Sequence, residues 1–347
     1  MKRDSFICLE DASRGRNNNL DIIRFVAALL VIVSHAYPIS QGAEVEDFLA
    51  RFTEGSLGLG ALAVSVFFSY GGFLICKSMF RLHTGKKYFK ARVKRIFPPL
   101  IIVIACLTFV VGPLLSSLDW KMYFLQSTTY KFLLNAILIP VHNLPGVFVD
   151  NVYPNVVNGA LWTLPVEFIC YILCFLGYKM HMFNRKVYGI VLAGVGIFAF
   201  VIIFIYPVSL FYLSILRAII LFAIGIGMYL YQNKIFLNTK IAVGLTFLLV
   251  LSRYVGIFDF CFILFFPYII FTVGYATKAK YSDFASRGEI SYEVYLWGWP
   301  VQQTLCYLCG GEMNPYYNML GAIVIAVTLG AIQSHIQGKV KGQLKFE

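Results

Sequence analysis

Long apolar runs, separated by short clusters of lysine and arginine, set the rhythm of this chain. A helix needs about 20 mostly apolar residues to cross the hydrocarbon of a bilayer, fewer where neighbours bury it. Runs of that kind fall near 20–38, 57–77, 97–117, 161–178, 187–206, 210–231, 240–256, 260–277, 289–309 and 316–336. The pattern predicts an all-α, polytopic integral membrane protein with about ten transmembrane helices; the segment 240–277 also reads as one long broken pair. Between the third and fourth runs lies the longest non-spanning piece, 118–160, which carries Trp120, His142, Asn143, Asn151, Asn155 and Asn158. Within it, 130–141 is apolar but too short to span, and reads as interfacial or re-entrant. There is no internal repeat of the kind that marks many secondary transporters.

Composition agrees with this pattern. Apolar residues make up 59% of the 347 positions and charged residues 13%, against about 45–50% and about 25% in a soluble domain. The basic residues then orient the chain. With both termini cytoplasmic, 23 of the 29 Lys and Arg fall on the inner side, and the outer loop 39–56 carries Glu44, Glu46, Asp47 and Glu54. Such a bias obeys the positive-inside rule. It also explains the net charge of +12 through topology and anionic lipid, so nucleic acid is not expected as a partner. Residues 1–19 form a cytoplasmic tail, 20–336 a single membrane domain and 337–347 a second tail. The first apolar run lacks a small-residue cleavage site and reads as a retained anchor. The eight cysteines are scattered, mostly within spans, and read as small hydrophobes rather than as disulfides or metal ligands.

Two residues of the first span stand out, because a charge inside the bilayer costs roughly 2.5–3.5 kcal/mol and marks a functional site by default. Arg24 and His35 are eleven residues apart, so a helix brings them to nearly one azimuth, roughly 16 Å apart along its axis. Ala28 and Val31 lie between them on that face. Glu167, on the fourth span, falls at a depth similar to that of His35. The two form either an acid/base pair or a satisfied pair that locks two helices. Trp162 and Thr163 open the same span, where interfacial anchoring is the plainer reading. The most basic segment, Lys86 to Pro98, places Arg92 and Arg95 one helical turn apart. It serves lipid headgroups and topology, or else the two guanidinium forks converge on a polyphosphate. Gly71 and Gly72 on the second span indicate close helix packing. On the ninth, Ser291 to Pro300 is dense in polar aromatics, and Pro300 bends the helix and frees backbone carbonyls. No phosphate-cradling glycine loop, zinc-ligand pattern or soluble catalytic domain is present.

Taken together, these pieces resemble the acyltransferase family 3 membrane proteins, which O-acylate cell-envelope carbohydrates. The likeness spans nearly the whole chain. Arg24 followed by His35 is similar to the family's first-helix signature. Phe67-Phe68-Ser69-Tyr70-Gly71-Gly72-Phe73 resembles its FFxxSGF pattern, with Gly71 where serine is usual. Arg92 to Pro98 matches its Arg-x-x-Arg-Ile-x-Pro element, Trp162 to Glu167 its WxLxxE element, and Ser291 to Leu296 its SYxxYL element. Many members carry a second histidine shortly after that last element. Here Gly298 and Trp299 stand in its neighbourhood, so no role of that histidine transfers to this chain.

The resemblance implies an O-acyltransferase with an acyl-CoA donor, most often acetyl-CoA, approaching from the cytoplasm. The acceptor is a sugar hydroxyl on an envelope polysaccharide or lipid-linked sugar at the outer side of a bacterial inner membrane. His35 is then the general base, Arg24 orients or polarises the donor, and Arg92 with Arg95 holds the CoA phosphates. Glu167 orients the acceptor or the histidine, and Trp162, Ser291 and Tyr292 are substrate-binding. No metal and no permanently bound cofactor are expected, and the oligomeric state stays open. The rival class is a transporter or flippase for glycan intermediates, which explains buried charge and ten helices but not an inner Arg-x-x-Arg beside a histidine helix.

Overall fold

The structure, a computed structural model, describes residues 6–15, 18–205, 209–277, 284 and 289–343, with side chains to 338. Ten long helices lie where the apolar runs predict them. They are α1 (Leu20–Gln41), α2 (Leu59–Leu82), α3 (Gly85–Cys106), α4 (Thr163–Lys179), α5 (Arg185–Phe204), α6 (Leu210–Leu230), α7 (Thr239–Ser252), α8 (Phe258–Tyr275), α9 (Ser291–Leu308) and α10 (Pro315–Gln343). Among the described residues, eight are long and apolar enough to cross a membrane. Of the other two, α7 has only 14 residues, and α9 carries Glu293, Gln302 and Gln303 among its buried side chains. Length and hydropathy alone therefore carry eight of the ten expected crossings. The break between α7 and α8 is a turn at Arg253–Val255 closed by Gly256 at φ +72°. The apolar stretch at 130–141 is no long helix. A short helix, Ser127–Lys131, and a tight turn, Phe132–Ile137, fold back on the buried Asn135, whose amide donates to the Phe132 and Val141 carbonyls at 2.8 Å each.

The two ends of the bundle are tied differently. At one end, Ile7–Cys8 pairs antiparallel with Phe236–Leu237, Lys77 Nζ donates to the Ser13 carbonyl at 2.6 Å, and Asn19 N–H donates to the Gly274 carbonyl. Arg24 lies toward this end. At the other, Asp47 caps the short helix Phe48–Phe52, and Asn151 Nδ2 donates to Gln303 Oε1 at 2.7 Å. His35 lies toward that end.

Close approach between helices depends on small residues, because lipid supplies no hydrophobic drive and packing must come from backbone proximity. A Cβ added at Gly72 would overlap the Phe222 carbonyl, and one at Gly225 would overlap the Ser69 carbonyl. The packing expected of the paired glycines is thus α2 against α6, at Gly72 rather than Gly71. Helix α9 is held by a different device. Proline has no N–H, so Pro300 leaves the Leu296 carbonyl without its helical donor, and Asn158 Nδ2 from the segment between α3 and α4 supplies one at 3.0 Å. The same Asn158 side chain accepts from Ala160 N–H, so one residue ties the 159–162 turn to the bend in α9.

Gly72→Ala is expected to lower the midpoint of thermal unfolding in detergent by about 1–4 °C, equivalent to about 1–3 kcal/mol of overpacking. Gly196→Ala, in α5 with nothing within 4 Å of the added carbon, leaves the midpoint unchanged or slightly raised. Equal midpoints for both variants would contradict the close α2–α6 contact.

Candidate active site

Two cavities run along the buried face of α1. The first, of about 70 Å³, is lined by Arg24, by Phe67, Phe68, Tyr70 and Gly71 of α2, and by Arg95 of α3. Thr163, Glu167 and Tyr171 of α4 and Ser291, Tyr292 and Tyr295 of α9 complete it. The second, of about 230 Å³, is lined by Val31, Ser34 and His35 of α1, Gly60 and Ser65 of α2, Trp162, Phe211, Ser214 and Arg217, and again by Tyr295. Val64 and Tyr295 border both. Tyr295 is fixed there by its hydroxyl, which donates to the Ala160 carbonyl at 2.6 Å and lies 2.7 Å from Thr163 Oγ1.

Beside the first cavity a carboxylate organises the cations. Arg24 Nη1 donates to Glu289 Oε2 at 2.6 Å, Arg95 Nη2 stands 4.0 Å from the same oxygen, and Ser291 Oγ donates to the other carboxylate oxygen. Glu289 precedes α9, outside the helical spans. Burial pushes its carboxyl up, but Arg24, Arg95 and the Ser291 hydroxyl outweigh burial and hold it below the ordinary value of 4.5. Glu167 accepts from the Tyr171 hydroxyl on its own helix. Tyr292 donates to the Ile96 carbonyl at 3.2 Å, across to α3. Arg92 is not part of the cavity wall. Its Nη2 donates to Ser78 Oγ at 3.2 Å and its guanidinium lies over the Tyr88 and Tyr171 rings at 5.9 and 5.8 Å.

In the second cavity the His35 ring lies edge-on to Trp299 with centroids 4.7 Å apart, and Nδ1 is buried without a hydrogen-bond partner among the described residues. Trp299 also packs on Tyr153 at 5.4 Å, and its Nε1 donates to the Val156 carbonyl. The position where a second histidine is often found therefore presents an apolar ring to the imidazole. Beside His35, Ser34 Oγ donates to Asp47 Oδ2 at 2.6 Å, and the same oxygen accepts from Leu59 N–H.

These contacts sort the expected site residues. Arg24, Arg95, Glu167, Ser291 and Tyr292 meet in the first cavity, and His35 with Trp162 in the second. Glu167 and His35 thus line different chambers, so a direct acid/base pair between them is not formed; similar depth did not mean a shared azimuth. Of the expected arginine pair, Arg95 lines the first cavity and Arg92 lies beside it, over the ring of the cavity-lining Tyr171. Glu289, Asp47 and Arg217 are the residues that sequence reasoning left without a role. Glu289 sits between helices, where periodicity is silent, and Asp47 reads as one of several acidic loop residues.

All five matched elements contribute to the first cavity, and residues 17–332 match the family described as Acyltransferase domain. The chain belongs to that family. This acyltransferase is 28% identical over 334 residues to the O-acetyl transferase of Shigella phage Sf6, covering 93% of this chain and 96% of that protein. It is also 30% identical over 163 residues to nodulation protein 10 of Rhizobium leguminosarum bv. viciae, 46% of this chain and 44% of that one. No solved structure matches it significantly. The protein is an O-acyltransferase and a multi-pass membrane protein.

Because Glu289 is depressed in the fold, its contribution is complete above pH 4.5 and is lost as pH falls below that value, through the folded-state value. Glu289→Gln is expected to remove this acid limb from a plot of unfolding midpoint against pH. It should also cost on the order of 3 kcal/mol at neutral pH by leaving Arg24 without its carboxylate. Superimposable pH profiles for the two proteins would contradict the assignment.

Proposed function

We propose that this acyltransferase moves an acetyl group from cytoplasmic acetyl-CoA to a sugar hydroxyl of an envelope polysaccharide or lipid-linked glycan, across a bacterial inner membrane. The observation that carries the reading is the pair of cavities sharing a wall at Val64 and Tyr295. One is lined by arginines suited to an anionic donor, the other holds the imidazole. The positive-inside reading assigns the Arg24 end to the cytoplasm, and the name of the phage relative favours acetyl among acyl groups.

The donor enters past Arg95, whose exposed guanidinium binds phosphate oxygens. Arg24, held by Glu289, steadies the donor's arm. Roughly 16 Å of helix between Arg24 and His35 keeps that guanidinium off the thioester itself, so orientation rather than carbonyl polarisation is its task. Ser291, Tyr292 and Glu167 line the passage, and Trp162 offers the acceptor an aromatic face. His35 takes the proton from the acceptor hydroxyl as general base. The hydroxyl oxygen attacks the thioester carbonyl carbon, the carbon–sulfur bond breaks, and the departing thiolate receives the proton back from the imidazolium.

Labelled acetyl transfer from acetyl-CoA to envelope material in inverted membrane vesicles tests the assignment. His35→Ala is expected to lower transfer by about 10²–10⁴-fold with unchanged membrane insertion; full activity in that variant overturns the role of His35. Arg95→Ala raises the KM for acetyl-CoA by about tenfold, a loss typical of one charge-assisted phosphate contact, whereas an unchanged KM places the phosphates elsewhere.

A further inference from the structure

The outer cavity holds a cation that the transfer step does not use. Arg217 of α6 is 2% exposed. Its Nη2 donates to Asp259 Oδ1 of α8 at 2.7 Å and to the Ser56 carbonyl at 2.9 Å. Its Nε and Nη1 are buried and have no hydrogen-bond partner among the described residues. Protein interiors pair nearly all buried donors, and a guanidinium carries five of them in a fixed fork. The side chain that carries this fork, one nitrogen engaged and two idle, lines the same cavity as His35, so a ligand bound there can draw the idle donors to its oxygens.

The rest of the cavity says which ligand. Trp162 and Phe211 meet edge to face with centroids 5.5 Å apart, giving the cavity an apolar surface beside its polar groups. An apolar plate beside hydrogen-bond donors is the combination a sugar ring needs, with its C–H face on one side and its oxygens on the other. Charge narrows the choice further. Arg217 is neutralised by Asp259, and Asp47 stands behind Ser34. The Arg217–Asp259 pair carries no net charge, so the cavity offers an acidic ligand no uncompensated cation.

We propose that Arg217, kept electrically neutral by Asp259, binds the acceptor and selects an uncharged glycosyl unit over an acidic one. Its Nε–H and Nη1–H groups donate to ring or hydroxyl oxygens of the sugar, and the aromatic wall fixes the ring so that one hydroxyl faces His35. This rests on the acetyl-transfer reading above and names the substrate class for the same site.

The test uses the full-length protein in detergent micelles with methyl glucoside, methyl galactoside and the matching methyl uronides as probes. Binding is read by saturation-transfer NMR and transfer by labelled acetyl-CoA. The wild type is expected to bind and acetylate a neutral glycoside with an efficiency about tenfold above that of its uronide. Replacing the pair by apolar groups, Arg217→Met with Asp259→Leu, raises the acceptor KM by about tenfold, the loss expected when a polar contact is removed, with the acetyl-CoA KM unchanged. Asp259→Asn keeps the shape but frees the positive charge, so it shifts the preference toward the uronide by about tenfold; this ratio decides the matter if the double variant does not fold. An unchanged acceptor KM in a folded double variant, or a wild-type preference for uronides, overturns the proposal. Arg217-dependent glycoside binding without any acetyl transfer sinks the transfer reading and leaves the sugar site standing. Transfer that ignores Arg217 sinks only the sugar site.

Discussion

A polar helix in an apolar solvent must find partners for its own groups, and α9 imposes this constraint on everything around it. Gln302 and Gln303 are fully buried, and an unsatisfied amide in hydrocarbon costs several kcal/mol. Gln302 Nε2 therefore donates to the Ile32 carbonyl of α1 at 2.8 Å, Gln303 Nε2 to the Tyr153 and Val156 carbonyls, and Trp297 Nε1 to Gln333 of α10. Asn318 of α10 donates to the Gln302 carbonyl in turn. These bonds hold α9 between α1, α10 and the segment joining α3 to α4, and they explain why so polar a helix sits inside the bundle. Its position brings Tyr292 and Tyr295 to the first cavity and Trp299 to His35.

The two buried arginines follow one energetic rule. Taking a guanidinium out of water is tolerable only with a carboxylate at hand. Arg24 finds Glu289 and Arg217 finds Asp259, each on a neighbouring segment. Each pair fastens one end of the bundle, α1 to the start of α9 and α6 to α8. Neither pair consumes all the donors of its fork. The protein thus keeps hydrogen-bonding capacity in both cavities without a bare charge in either.

The first-helix face was legible because helical geometry is local. Eleven residues bring Arg24 and His35 to one azimuth, and Arg24, Ala27, Ala28 and Val31 are buried on α1 while Val26 is 44% exposed. The ten helices were legible for the same reason, and so was the freed carbonyl before Pro300. Partners contributed by other helices were not. Asp259 lies 42 residues from Arg217 and Glu289 lies 265 from Arg24, and no period links them. Depth could be counted at a fixed rise per residue, but rotation about each helix axis is set by tertiary packing. That is why Glu167 and His35, level in depth, end in separate chambers, and why Arg92 bonds Ser78 while Arg95 stands beside Glu289.

Trp299 bears on how many chemical steps the site can support. Its indole nitrogen is spent on the Val156 carbonyl, so it neither accepts a proton nor orients the imidazole by a hydrogen bond. A covalent acyl-enzyme would need a nucleophile paired with that imidazole. The serines around the outer cavity are committed elsewhere: Ser34 donates to Asp47, Ser65 to the Ala61 carbonyl at 2.7 Å and Ser214 to the Leu210 carbonyl at 2.9 Å. Among the described residues, no cysteine lines either cavity. Under the proposed transfer, a single base takes the acceptor's proton and returns it to the leaving thiolate itself. On that reading both substrates are bound together, the donor's arm on one side of Tyr295 and the sugar at His35. The shared wall at Val64 and Tyr295 is then where the two halves of the proposed reaction meet.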